Sequence, residues 1–149
     1  MTSPILVVDA SVAIKWGVPE VGSDAAEALV GAYRLIAPQL IYAECANILW
    51  KMTRRGELSG VEMMKASTLV DDFAIHTVSM RELVPLALDA SVRIDHAAYD
   101  CFYLALAFLQ ECPMVTADSR LVRRLRSRRD AWADLVVELA DIPPASDRP

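Results

Sequence analysis

The chain predicts a three-layer α/β/α sandwich built on a mostly parallel five-stranded sheet. Short apolar runs recur along it: Ile5-Leu6-Val7-Val8, Leu35-Ile36-Ala37, Ile75-His76-Thr77-Val78, Met114-Val115-Thr116 and Leu135-Val136-Val137-Glu138. Most of them lack an in–out alternation, as expected of strands buried on both faces. The stretches between them carry apolar residues at helical spacing, and strands alternating with helices are the pattern of a parallel sheet covered by helices.

Taken in order, Ile5–Val8 opens the chain as a strand, and residues Ser11 to Trp16 follow as a short helix. Ser23 is the expected N-cap of a helix reaching about Tyr33. Leu35-Ile36-Ala37 is a brief strand ended by Pro38, which donates no ladder bond. Leu40 to about Arg54 has helical spacing, and Gly56 is its expected stop. Ser59 and Glu62 fit a capping box, starting a helix to about Asp72. Helices are also expected over Met80–Arg93, Ala97–Glu111 and Ser119–Arg128. The Pro-rich end from Pro143 to Pro149 reads as a flexible tail, leaving residues 1–142 as a single domain.

At 149 residues the domain can bury roughly 70% of its unfolded surface and needs no disulfide or metal staple. With 54% apolar and 23% charged residues, disorder, collagen and coiled coil are excluded as the main state. A net charge of −5 excludes a general nucleic-acid coat, so any nucleic-acid contact must be local. Cys45, Cys101 and Cys112 contain no CxxC pair and read as buried thiols of a reducing compartment. No apolar run reaches the roughly 18 residues of a membrane span, and the first lysine is Lys15, so a signal peptide is not expected. A cytoplasmic protein without membrane contact is expected.

Four acids sit where acids are costly. Asp9 is the one charged residue between Ile5 and Ile14, Glu44 between Ala37 and Trp50, Asp100 between Ala97 and Gln110, and Asp118 between Cys112 and Ser119. A carboxylate in apolar surroundings must be paired, hydrogen-bonded or metal-bound. Asp89 and Glu138 also have apolar neighbours, so isolation alone marks nothing. The shared placement of the four is the signal. Asp9 and Asp118 each follow a strand, where doubly wound sheets bind ligands, and Glu44 and Asp100 fall on helices able to line the same rim. Oxygen ligands without matching cations suit Mg²⁺ or Mn²⁺, and such a metal is the usual apparatus of phosphodiester hydrolysis. Neither histidine is expected as a required base: His76 falls on a strand and His96 near a helix start.

These residues carry a resemblance. Val7-Val8-Asp9-Ala10-Ser11-Val12-Ala13-Ile14-Lys15-Trp16 resembles the opening of PIN-domain proteins, Glu44-Cys45-Ala46-Asn47 their second motif, Tyr99-Asp100-Cys101-Phe102-Tyr103-Leu104-Ala105 their third, and Thr116-Ala117-Asp118-Ser119 their fourth. The likeness runs from about Ile5 to Glu138, and the length is similar to that of VapC-type toxins of toxin–antitoxin pairs. It implies a five-stranded parallel sheet with the first and fourth strands adjacent. It implies Mg²⁺- or Mn²⁺-dependent endoribonuclease activity, with Asp9, Glu44, Asp100 and Asp118 as catalytic, metal-binding acids. Ser11, Thr116 and Asn47 would support them, and Ser11 reads equally as a helix cap. A cognate antitoxin and a homodimer are also implied. Gly17 stands where such proteins often carry a bulkier residue, which would loosen the loop before Pro19.

Arg120, Arg123 and Arg124 can share a helix face beside Asp118. They are candidates for holding an RNA backbone, and read equally as a solvated face. Lys15 is a further RNA-binding candidate, beside its reading as a snorkelling, solvent-facing lysine. Trp50, Met52, Leu58, Met63 and Met64 form an apolar stripe that suits either the core or a partner groove.

Alternatives to a toxin nuclease are a housekeeping RNA-processing nuclease and a non-catalytic binding module that keeps the acids for stability. A phosphohydrolase with an Asp nucleophile expects a second acid where Ser11 stands. A phospho-acceptor receiver expects a late Lys, and none follows Lys65.

Overall fold

Strand β1 (Ile5–Val8) lies in the middle of a sheet whose two faces are both covered by helices, which is why its side chains are apolar on both faces. The structure is a computed structural model and describes residues 2–143. It contains β1, α1 (Ala10–Gly17), α2 (Ser23–Glu27), β2 (Arg34–Pro38), α3 (Leu40–Arg54), α4 (Gly60–Ala66), α5 (Leu69–Asp72), β3 (His76–Val78), α6 (Val84–Ile94), α7 (Ala98–Leu109), β4 (Met114–Thr116), α8 (Ser119–Arg126) and β5 (Val136–Glu138). The five strands are parallel in the order β3-β2-β1-β4-β5.

From β1 the chain steps outward to β2 and β3, then returns across the sheet to β4 and continues to β5. Right-handed crossovers in opposite directions place their helices on opposite faces. The packing follows this rule: α1 lies with α2, α3 and α5, whereas α6 pairs with α7, which runs across β1, β2 and β4. Three layers result, and strand order reverses between β1 and β4, where Val8 is in register with Val115. The two acid-bearing helices, α3 and α7, therefore approach that crevice from different layers. The expected fold class holds.

Boundaries differ where local chemistry prevails. The helix expected over Ser23–Tyr33 stops at Glu27, and its N-cap is Gly22. The Ser23 hydroxyl instead accepts from the Glu20 amide and donates to the Lys15 carbonyl, tying the α1–α2 loop together. The helix expected over Ser59–Asp72 opens with its capping box intact but breaks between Ala66 and Leu69. The helix expected from Met80 begins as a single 3₁₀ turn, Arg81–Leu83, before α6. Gly56 ends the region after α3 with φ +75°, a conformation that favours glycine. The tail expected over 143–149 lies, beyond Pro143, outside the described residues.

Gly17 does not loosen a loop. A Cβ there would sit 2.9 Å from Leu69 Cδ2 and 3.2 Å from Ala66 Cβ, so its missing side chain is what lets α1 close on α4 and α5. Beside it, Trp16 stacks on Phe73 with ring centroids 5.4 Å apart. All three cysteines are free and buried. Among the described residues, no helix is long and apolar enough to cross a membrane.

Candidate active site

Asp9 leaves the end of β1 in extended conformation and caps α1, accepting from the Val12 amide at 3.2 Å. The cap is thus Asp9 and not Ser11, which lies inside the first helical turn. The Ser11 hydroxyl donates to Asp9 Oδ1 at 2.6 Å and accepts from the Ala117 amide at 2.9 Å. Thr116, the last residue of β4 and fully buried, donates to Asp9 Oδ2 at 2.5 Å and accepts from the Asp118 amide. Both oxygens of one carboxylate are therefore held by hydroxyls from the two segments that flank the switch point. Asp9 is only 6% exposed. Burial, with a contribution from the Asp100 charge, raises its pKa from 3.8 to about 6, although the Ser11, Thr116 and Val12 bonds oppose the rise.

Glu44 lies in the second turn of α3. Burial first, then the charges of Asp100 and Asp9, push its pKa up to about 7. The buried Tyr103 hydroxyl, from α7, donates to Glu44 Oε2 at 3.2 Å and holds that value down. Burial and the charges of Glu44 and Asp9 push Tyr103 itself upward, so it remains a protonated donor. The same two causes, burial and neighbouring acids, raise the Cys45 thiol to about 12 and keep it unreactive.

Asp100 sits in the first turn of α7, with its Oδ2 2.6 Å from His96 Nε2. His96 and Tyr103 are thus site residues that the sequence reading missed. Tyr103 left a signal, since it lies three residues after Asp100 on the same helix; His96 precedes that helix and left none.

Asp118 differs from the other three in exposure. It is exposed and caps α8, its Oδ1 accepting from the Arg120 and Leu121 amides at 3.0 and 3.1 Å. Asn47 is exposed, one turn after Glu44, in an open groove of about 400 Å³ lined also by Leu40, Ala43, Ile48 and Tyr99. Lys15 is neither solvent-facing nor free. Its side chain is 12% exposed, and its ammonium binds Glu20 Oε1 at 2.8 Å and the Val21 carbonyl at 2.7 Å. Arg120, Arg123 and Arg124 are exposed on α8, whose packed face is Leu121, Val122 and Leu125. Of the apolar stripe, Met52, Leu58 and Met63 pack on the core, whereas Trp50 and Met64 are exposed.

The donor set suits a hard cation. Asp9, Glu44 and Asp100 offer only oxygens, repel one another, and are paired with no Lys or Arg among the described residues. In this arrangement no three His, Cys, Asp or Glu side chains among the described residues are close enough to form a finished metal cage.

These features define a doubly wound α/β domain with an acidic cluster at its switch point. The chain belongs to the PIN-domain family, whose description matches residues 6–126. Ribonuclease VapC9 of Mycobacterium tuberculosis is 31% identical over 117 residues, which is 78% of this chain and 88% of that protein. Ribonuclease VapC3 of Pyrobaculum aerophilum is 34% identical over 125 residues, 80% of this chain and 93% of that protein. The crystal structure of PAE2754 from Pyrobaculum aerophilum shares the fold with a TM-score of 0.66 and 18% identity, covering 92% of this chain and 90% of that one.

Proposed function

We propose that this chain, with residues 1–142 as one nuclease domain, is the toxin of a type II toxin–antitoxin pair, an endoribonuclease hydrolysing RNA phosphodiester bonds at the Asp9–Glu44–Asp100 cluster. One observation carries the reading: three carboxylates from separate segments lie within electrostatic reach of one another beside the switch point, and two of them are pushed up to about 6 and 7 with no Lys or Arg partner. The similarity to proteins named VapC ribonucleases supports it.

A divalent cation, Mg²⁺ or Mn²⁺, would supply charge neutralisation, phosphate polarisation and water activation at this cluster. Asp9, Glu44 and Asp100 would hold it. Asp118 would join them through Oδ2, since Oδ1 alone caps α8. Ser11 and Thr116 keep the Asp9 carboxylate in one orientation, and Tyr103 does so for Glu44. Asn47 lines the groove that RNA would enter, and Arg120, Arg123 and Arg124 would hold the RNA backbone. An antitoxin segment would fill the same groove with apolar side chains on Leu40, Ile48 and Tyr99, and a basic residue would reach Glu44. Exposed Leu88, Val92, Phe108 and Leu109 on α6 and α7 supply apolar surface for a homodimer. Buried free thiols fit a cytoplasmic location.

The test is cleavage of a pool of structured RNAs by purified protein with Mg²⁺, Mn²⁺ or EDTA, beside Asp9→Asn. Cleavage that requires metal and vanishes in the variant is expected. No cleavage, together with no metal binding by calorimetry, would leave a binding module instead.

A further inference from the structure

We propose that His96 is a positioning residue for the cation site, holding the Asp100 carboxylate in the orientation that lets it serve beside Asp9 and Glu44. The proposal rests on the reading of that cluster as a divalent-cation site.

The backbone around this ring is closely constrained. Helix α6 ends at Asp95 in a left-handed conformation, φ +48°, and the His96 amide folds back onto the Ser91 carbonyl at 3.1 Å. The His96 backbone is thereby fixed before α7 begins, and the ring lies against the first turn of α7 with its side chain 8% exposed. Nε2 is 2.6 Å from Asp100 Oδ2. A carboxylate oxygen accepts, so in this pair the Nε2–H of the ring is the donor.

Nδ1 is buried and has no partner among the described residues. An imidazole kept for packing alone would be a poor choice here, because leaving a buried polar atom unpaired costs about 1–3 kcal/mol and an apolar side chain avoids that cost. The bond to Asp100 is the one polar interaction the ring makes among the described residues. It occupies one carboxylate oxygen and leaves Oδ1 for a cation. Groups that hydrogen-bond to ligating carboxylates set their orientation, and losing one typically lowers metal affinity by about 10–100-fold. Asp9 has the equivalent support from Ser11 and Thr116, and Glu44 has it from Tyr103. Without His96, Asp100 would be the one member of the cluster with no side-chain donor.

The experiment is calorimetric titration of Mn²⁺ into the wild type, Asp100→Asn, His96→Leu and His96→Gln, each with a thermal melt. Gln brings an amide N–H close to the place of Nε2; Leu brings none. His96→Phe, which keeps a ring without the donor, replaces His96→Leu should that variant not fold. Expected are Mn²⁺ binding by the wild type, its loss in Asp100→Asn, a fall of about 10–100-fold in the apolar variant, and recovery of most of that affinity in His96→Gln. The melting temperature of the apolar variant should change little, since removing the orphaned Nδ1 offsets losing the bond to Asp100. Unchanged affinity in the apolar variant, or a Gln variant as weak as it, overturns the assignment while leaving the cation site standing. A wild type that takes up no Mn²⁺ overturns the cation-site reading and the role of His96 with it.

Discussion

Asp9→Asn should make the metal-free protein more stable above neutral pH and leave it little changed near pH 4. The Asp9 carboxyl has its pKa raised from 3.8 to about 6, chiefly by burial. Each pH unit between those values is worth about 1.4 kcal/mol, so keeping Asp9 charged in the folded state costs about 3 kcal/mol. Below pH 3.8 both folded and unfolded chains carry the proton, and this cost is absent. Between 3.8 and 6 the folded chain holds a proton that the unfolded chain has released, so stability declines as pH rises, then levels off. Asparagine removes the titration and retains an oxygen for the Ser11 hydroxyl and the Val12 amide. Glu44 titrates in both proteins and largely cancels from the comparison. The assay is urea unfolding in chelator at several pH values between about 4 and 8. The variant should gain up to about 3 kcal/mol by about pH 8, equivalent to roughly 6–12 °C for a domain of this size. Mn²⁺ should narrow the gap by stabilising the wild type alone. A pH-independent difference, or a wild type that is the more stable at the alkaline end, would refute the reasoning.

Thr116→Val keeps the shape of β4 but removes the donor to Asp9 Oδ2 and the acceptor for the Asp118 amide. It should cost about 2 kcal/mol near pH 8 by chemical denaturation, as expected for a bond to a charged group, and less near pH 4. Tyr103→Phe removes the bond that holds the Glu44 pKa down. The acidic limb of the pH–cleavage profile should move to higher pH, and an unmoved limb would separate Tyr103 from the site. Replacing Arg123 and Arg124 together with Ala should reduce the salt dependence of RNA binding by about 0.7 in log–log slope for each phosphate they neutralise; an unchanged slope would return α8 to a solvated face.

Strands β1, β2 and β4 were legible because a strand buried on both faces has to be apolar nearly throughout, whereas the edge strands β3 and β5 are only partly buried and carry His76, Thr77 and Glu138. The capping box at Ser59 and Glu62 was legible because its two partners are three residues apart. Ser23 was misread because its hydroxyl could satisfy either a helix amide or a loop, and only the loop brings the Glu20 amide and Lys15 carbonyl to it. The solvent-facing reading of Lys15 failed for a similar reason, since its anchors lie beyond the helix that carries it.

For the site, the sequence by itself determined which acids are isolated among apolar residues and that two of them follow strands. Both are local properties of the chain. The tertiary structure alone decided how those acids are grouped. It brings Asp9, Glu44 and Asp100 into mutual repulsion, while the Asp118 carboxylate spends one oxygen on the first amides of α8. It also supplied the donors, since Thr116 reaches Asp9 across 107 positions of sequence and Tyr103 reaches Glu44 across 59. Burial and charge depend on what the fold places within a few ångströms, and no spacing along the chain records that distance.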